Sequence, residues 1–119
     1  MATTSVLVHD TAIDQYAYGY QHNNGEIPYN ELIDSALAVN KDREESETEP
    51  IEPMAFLAEW HELALKKWDA PSEFTIEAIE DLSEITRVDD HHYHVKMEQG
   101  RIWSIVAYRK GQQFMTVTF

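Results

Sequence analysis

Carboxylates are the side chains whose number and spacing could do chemistry in this chain. Between residues 42 and 90, sixteen Asp and Glu stand against four Lys and Arg. The first 41 residues hold five acids and one base, and the last 29 hold one acid and four bases. Nearly all of the formal charge of −13 therefore lies in one stretch. A net charge of magnitude about 2 to 8 already keeps a small domain soluble, and a larger one loosens the compact state by self-repulsion. The surplus suits a cationic partner. Two rows of acids stand out. Turning 100° per residue as a helix, Glu73, Glu77, Glu80, Asp81 and Glu84 fill one arc, apart from an apolar arc of Phe74, Ala78, Leu82 and Ile85. Beside Glu44, the residues Glu45, Glu47 and Glu49 alternate, so an extended backbone projects them on one side roughly 6.5 to 7 Å apart. Duplex DNA carries one negative charge per roughly 1.7 Å of axis, which proteins meet with Lys and Arg. Carboxylate rows of this kind could occupy the same cationic groove. A solvated helix face and a flexible acidic linker would account for the same residues without any partner.

The segment Asp89-Asp90-His91-His92-Tyr93-His94 has ligand-like chemistry. On a strand, His92 and His94 share a face with Asp90, the arrangement of His-x-His metal sites. A complete site needs another ligand, with His61 or Glu62 as candidates, and an ordinary polar strand face explains the residues as well. No metal ligand or cofactor is assigned. The chain has no cysteine, too few glycines for a phosphate-binding loop, and no Gly-x-Ser-x-Gly elbow. Carboxylate pairs are so abundant that none stands out as an acid and base held in contrasting environments. No enzymatic activity is expected. The basic, aromatic C-terminal residues Lys96, Arg101, Trp103, Tyr108, Arg109 and Lys110 form either a second surface or an internal counterweight to the acids.

The elements that must position these groups follow from periodicity. Val6-Leu7-Val8 is a short strand or an anchored terminus, and Asp10 caps a helix over about 11–21 that carries Ile13, Ala17 and Tyr20. Pro28 enters a second helix over about 29–40, and residues 41–53 read as an extended acidic loop. A third helix, about 54–68, carries Phe56, Leu57, Trp60, Leu63, Ala64 and Trp68 on one stripe, and Ser72 caps a fourth running to about Thr86. The period then changes to two. Residues 88–98, 101–110 and 112–119 alternate as strands separated by Gln99-Gly100 and Lys110-Gly111. The expected fold is a single α+β domain over 1–119, its N-terminal helices packed on a C-terminal three-stranded antiparallel meander.

Length, acidity, the Asp42-to-Glu52 segment and the acidic face from Glu73 to Glu84 together resemble the small bacterial DNA-mimic proteins, in particular the monomeric kind that engages the histone-like protein HU. The resemblance implies a cofactor-free binder that blocks the DNA-binding surface of a basic protein such as a histone-like nucleoid protein. Its contacts would fall on Glu44, Glu45, Glu47, Glu49, Glu73, Glu77, Glu80, Asp81 and Glu84. The competing expectation is an immunity or inhibitor protein that neutralises a basic nuclease or other toxin through an interface with aromatic anchors. Direct contact with nucleic acid or with an anionic membrane is not expected of so acidic a chain. Self-repulsion favours a monomer, and the N-terminus, lacking a cationic segment before its brief apolar run, favours a cytoplasmic location.

Overall fold

The structure, a computed structural model, describes residues 4–21, 29–45, 51–68, 74–84 and 91–119. Alternation governs more of them than helical period does. β1 (Thr4–Asp10) and β2 (Gln15–Gln21) form an antiparallel hairpin, with Val8 opposite Ala17 and Leu7 opposite Tyr18. The segment expected as a first helix over 11–21 is thus a turn and a strand. In Gln-Tyr-Ala-Tyr-Gly-Tyr-Gln the tyrosines fall at every second residue, which sends three rings to one face of a sheet and the small Ala17 and Gly19 to the other. Aromatic residues suit such a pleated surface, and Gly19 disfavours a helix interior.

Two helices follow. α1 (Tyr29–Glu45) outruns the expected 29–40, and α2 (Pro53–Trp68) matches the third expected helix, starting with Pro53, whose missing N–H costs nothing in a first turn. The extended loop of 41–53 is corrected accordingly, because Glu44 and Glu45 continue α1. Phe56, Leu57 and Trp60 of α2 and Leu32 and Ala36 of α1 are almost wholly buried. Burying each of the larger side chains contributes about 1.5 to 3 kcal/mol.

The expected fourth helix is the largest correction. Phe74–Ile79 is a strand, β3, and Leu82–Glu84 is one turn of 3-10 helix. Phe-Thr-Ile-Glu-Ala-Ile is rich in β-branched residues and alternates as readily as it turns, and a free edge of β2 was there to receive it. Asp81 ends this excursion, its Oδ1 accepting the Ser83 N–H at 3.0 Å.

β4 (His91–Glu98), β5 (Arg101–Arg109) and β6 (Gln112–Thr118) are joined by Gln99-Gly100 and Lys110-Gly111. All four turn residues have positive φ, between 51° and 81°, the two-residue hairpin geometry whose twist matches the strands. The expected meander is present, but only as half of a mixed sheet. The strand order is β3-β2-β1-β4-β5-β6, with β1 and β4 pairing in parallel at the centre. Helices packed on a three-stranded meander are therefore not the architecture: strands precede and follow the helical pair, and both sets join one six-stranded sheet. α2 lies over β1, β2 and β3, and α1 over β5. Their apolar sides meet Val6, Val8, Ala17, Tyr93, Val95, Met97, Ile102, Ile105 and Ala107, which all lie on the same face.

Two polar side chains pin this arrangement. Asn40 of α1 donates to the Ile102 carbonyl and accepts from the Ile102 N–H, both at 2.8 Å and buried. Ile102 lies past the end of β6, which pairs only as far as Ser104, so the amide stands where a strand neighbour would. Asp10 is fully buried, and its carboxylate accepts the N–H groups of Ala12, Gln99 and Gly100 at 3.0 to 3.1 Å. The residue expected to cap a helix instead ties the β1–β2 turn to the β4–β5 turn.

Candidate functional site

Helices cover one face of the sheet, and among the described residues no element packs on the other. The pairing register decides what stands there. Tyr16, Tyr18 and Tyr20 form a row on β2, with spacing near 6.5 to 7 Å along the strand. Beside them on β1 are Ser5, Leu7 and His9, and beyond these on β4 are His92, His94 and Lys96. Tyr108 and Val106 continue the surface onto β5. The middle is buried, Leu7 and Tyr18 being 4% exposed and Val106 8%, while Tyr16, Tyr20, His92 and Tyr108 are half-buried.

Ring contacts hold these side chains in place. His9 stacks on Tyr16 with centroids 4.0 Å apart and planes 6° from parallel, and its Nε2 lies 3.4 Å from the exposed Asp14 carboxylate. Tyr18 leans on Tyr20 at 5.7 Å and His92 on Tyr108 at 5.8 Å. A register shift between Lys96 and Met97 leaves Trp103 as an extra residue in β5, 42% exposed, with the Lys96 ammonium 5.4 Å from its ring centroid. Bulges re-aim side chains in this way. Rings locked at two χ angles lose little freedom on binding, and tyrosine and tryptophan are the residues that most often anchor protein interfaces.

The histidines on this face differ in their surroundings. Ser5 Oγ and His92 Nδ1 are 2.7 Å apart, a spacing also found between a nucleophile and its base, but Ser5 is 1% exposed and so screened from any substrate. The His94 pKa is lowered to about 4, first by burial and then by His92, Lys96 and His9, so the ring is neutral at pH 7. Its Nε2 is buried without a hydrogen-bond partner. His92 and His94 do share a face, as expected. His61, one of the candidate further ligands, sits on α2 across the sheet, its pKa lowered by burial against an opposing pull from Glu62. Among the described residues no three His, Asp or Glu side chains converge for a metal ion.

The expected acidic rows are only partly placed. Glu77 is exposed on β3 opposite Tyr18 and so faces the same side as the tyrosines. Glu80 and Asp81 follow it, exposed, and Glu84 belongs to the 3-10 turn. The arc that a helix would have made of them does not exist: a strand, a bend and a turn carry them instead. Glu44 and Glu45 sit at the C-terminal end of α1, so the alternating row through Glu45 is not extended there. Glu47, Glu49 and Glu73 lie outside the described residues, as do Asp89 and Asp90. The aromatic face was missed as a site, although the every-second-residue tyrosines of β2 were the signal for it.

No protein-family model matches the chain, and no curated protein or solved structure matches it either. No helix among the described residues is long and apolar enough to cross a membrane.

Proposed function

We propose that the chain is an inhibitor or immunity-type binding protein, which masks a basic protein by presenting the helix-free face of its sheet with carboxylates at the border. One observation carries this reading: Tyr16, Tyr20, Tyr108 and Trp103 line a face that no described helix covers, in a chain of net charge −13. Glu77, Glu80 and Asp81 edge the tyrosine row along β3, and Asp14, just ahead of Tyr16, borders the same end of the row as Glu80 and Asp81. In such an interface the rings supply affinity. The carboxylates steer a cationic partner into register, accelerating encounter in a manner that salt weakens. The DNA-mimic alternative asks carboxylates alone to imitate a regular phosphate row, and Glu77, Glu80, Asp81 and Glu84 on a strand, bend and turn give it less support than a helix would have done.

Affinity capture from cell extract with three forms of the protein tests the proposal. The wild type should retain a basic protein. A Tyr16→Ser/Tyr20→Ser double variant should lose it, and a Glu77→Lys/Glu80→Lys variant should hold it more weakly and with less dependence on salt. If the tyrosine variant retains the partner as well as the wild type does, the aromatic face is not the contact. If retention depends on the carboxylates alone and added duplex DNA releases the partner, the phosphate-mimic reading replaces this one.

A further inference from the structure

His94 stands at the centre of the helix-free face. Along β4 it lies between His92 and Lys96, and across the sheet it is opposite Leu7 of β1 and Val106 of β5, with His9 as a diagonal neighbour. The titratable groups around it are therefore His92, Lys96 and His9, each a cation when protonated, with Tyr18 beyond Leu7 and Tyr108 beside Val106. The described carboxylates of this face stand further off. Asp14 lies 3.4 Å from His9, Glu77 is three strands away, roughly 14 Å, and Glu98 is four residues along β4, opposite Arg101. A proton on His94 thus gains no counter-charge from the described residues, and its buried Nε2 offers that proton no acceptor. Under a helix, such a group would reach water only by unfolding. Here no described element packs over the ring, and the residue as a whole is only half-buried, so a change of side-chain rotamer suffices.

We propose that the helix-free face is an acid-sensitive switch: taking up a proton turns the His94 side chain from its place between Leu7 and Val106 into solvent, while the sheet beneath stays paired. The backbone is held because β4 has a strand on each side, β1 and β5. Burial, with His92, Lys96 and His9 adding to it, lowers the pKa of the inward ring to about 4, against an ordinary 6.5 for a ring in water. Protonation therefore favours the outward arrangement by up to about 300-fold, of which about thirtyfold is reached between pH 7.5 and pH 5. The turn uncovers Leu7 and Val106, both almost wholly buried beforehand. Resting on the reading of this face as the contact for a basic protein, the same event sets a positive charge in the contact, so acid releases the partner.

NMR of the free full chain tests the switch without any partner. The exposure of the Leu7 and Val106 methyl groups to a neutral paramagnetic chelate is followed from pH 7.5 to pH 5, together with amide exchange in β1, β4 and β5. In the wild type, methyl exposure should rise with the His94 titration while the amides stay protected. His94→Leu should keep the methyl groups covered at both pH values, and His94→Arg, its fold checked by circular dichroism, should expose them already at pH 7.5. Wild-type methyl groups that stay covered at pH 5 overturn the proposal. So do methyl groups that open equally in His94→Leu, or an opening in which the amides lose protection at the same pH. Should His94→Arg not fold, the comparison of wild type with His94→Leu decides alone. A switch seen in the free protein, with partner capture unchanged by acid, overturns the placement of the contact on this face and not the switch.

Discussion

Replacing His94 by leucine should remove about 2 kcal/mol of acid sensitivity between pH 7.5 and pH 5. The reasoning starts from a folded-state pKa of about 4 against an ordinary 6.5, a depression caused first by burial and then by His92, Lys96 and His9. Protonation therefore favours the unfolded chain. The contribution of the neutral ring is complete above pH 6.5, is lost progressively as pH falls, and stops falling near pH 4. A difference of about 2.5 pH units corresponds to a total of about 3.4 kcal/mol, and roughly 2 kcal/mol of it lies between pH 7.5 and pH 5. Leucine should be tolerated, since by register the site stands between Leu7 and Val106 and the buried Nε2 has no hydrogen bond to lose. Urea unfolding of both proteins at the two pH values supplies the measurement. The many carboxylates of the chain are common to both, so their contributions cancel in the comparison. Equal pH dependence in wild type and variant would refute the argument, as would an NMR titration of the His94 ring with a midpoint near 6.5.

Asn40→Ala should cost roughly 2 to 6 kcal/mol, because it strands the buried Ile102 N–H and carbonyl together, each at about 1 to 3 kcal/mol; denaturant unfolding should show a lowered midpoint at unchanged slope. Gly111→Ala should destabilise by about 1 kcal/mol although nothing lies within 4 Å of the added methyl, since the residue holds φ at +81°. In the same turn Lys110→Asn should raise the thermal midpoint slightly, asparagine being favoured at the first position of this turn type, and Lys110 having φ +51°; an unchanged or lowered midpoint counts against the assignment.

Those parts of the fold that carry their own punctuation were legible in the sequence. Gln99-Gly100 and Lys110-Gly111 separate alternating runs, and β4, β5 and β6 follow directly. The stripe of Phe56, Leu57 and Trp60 likewise announces α2. The errors fall where a short segment fits two periods. Phe74–Ile79 fits a helical period that separates acids from apolar groups as well as it fits a strand, and only the edge of β2 decides for the strand; a helix over Gln15–Gln21 offers no such edge. The two corrections are therefore coupled. The candidate surface was less legible still, because it depends on which face of the sheet the helices choose, a tertiary outcome that no single strand encodes. The tyrosine spacing in β2 was visible, but its meaning required the sheet.

The buried Asp10 carboxylate joins backbone groups 89 and 90 residues away, and β1, which it terminates, pairs in parallel with β4. A chain emerging from the ribosome would thus complete its first hairpin long before the partner for the hairpin's inner edge has been synthesised. Distant pairings of this kind slow folding, and an edge waiting for its neighbour invites aggregation. Nascent chains of this protein should therefore lean on chaperones until the β4–β5 turn delivers its two amides to the waiting aspartate.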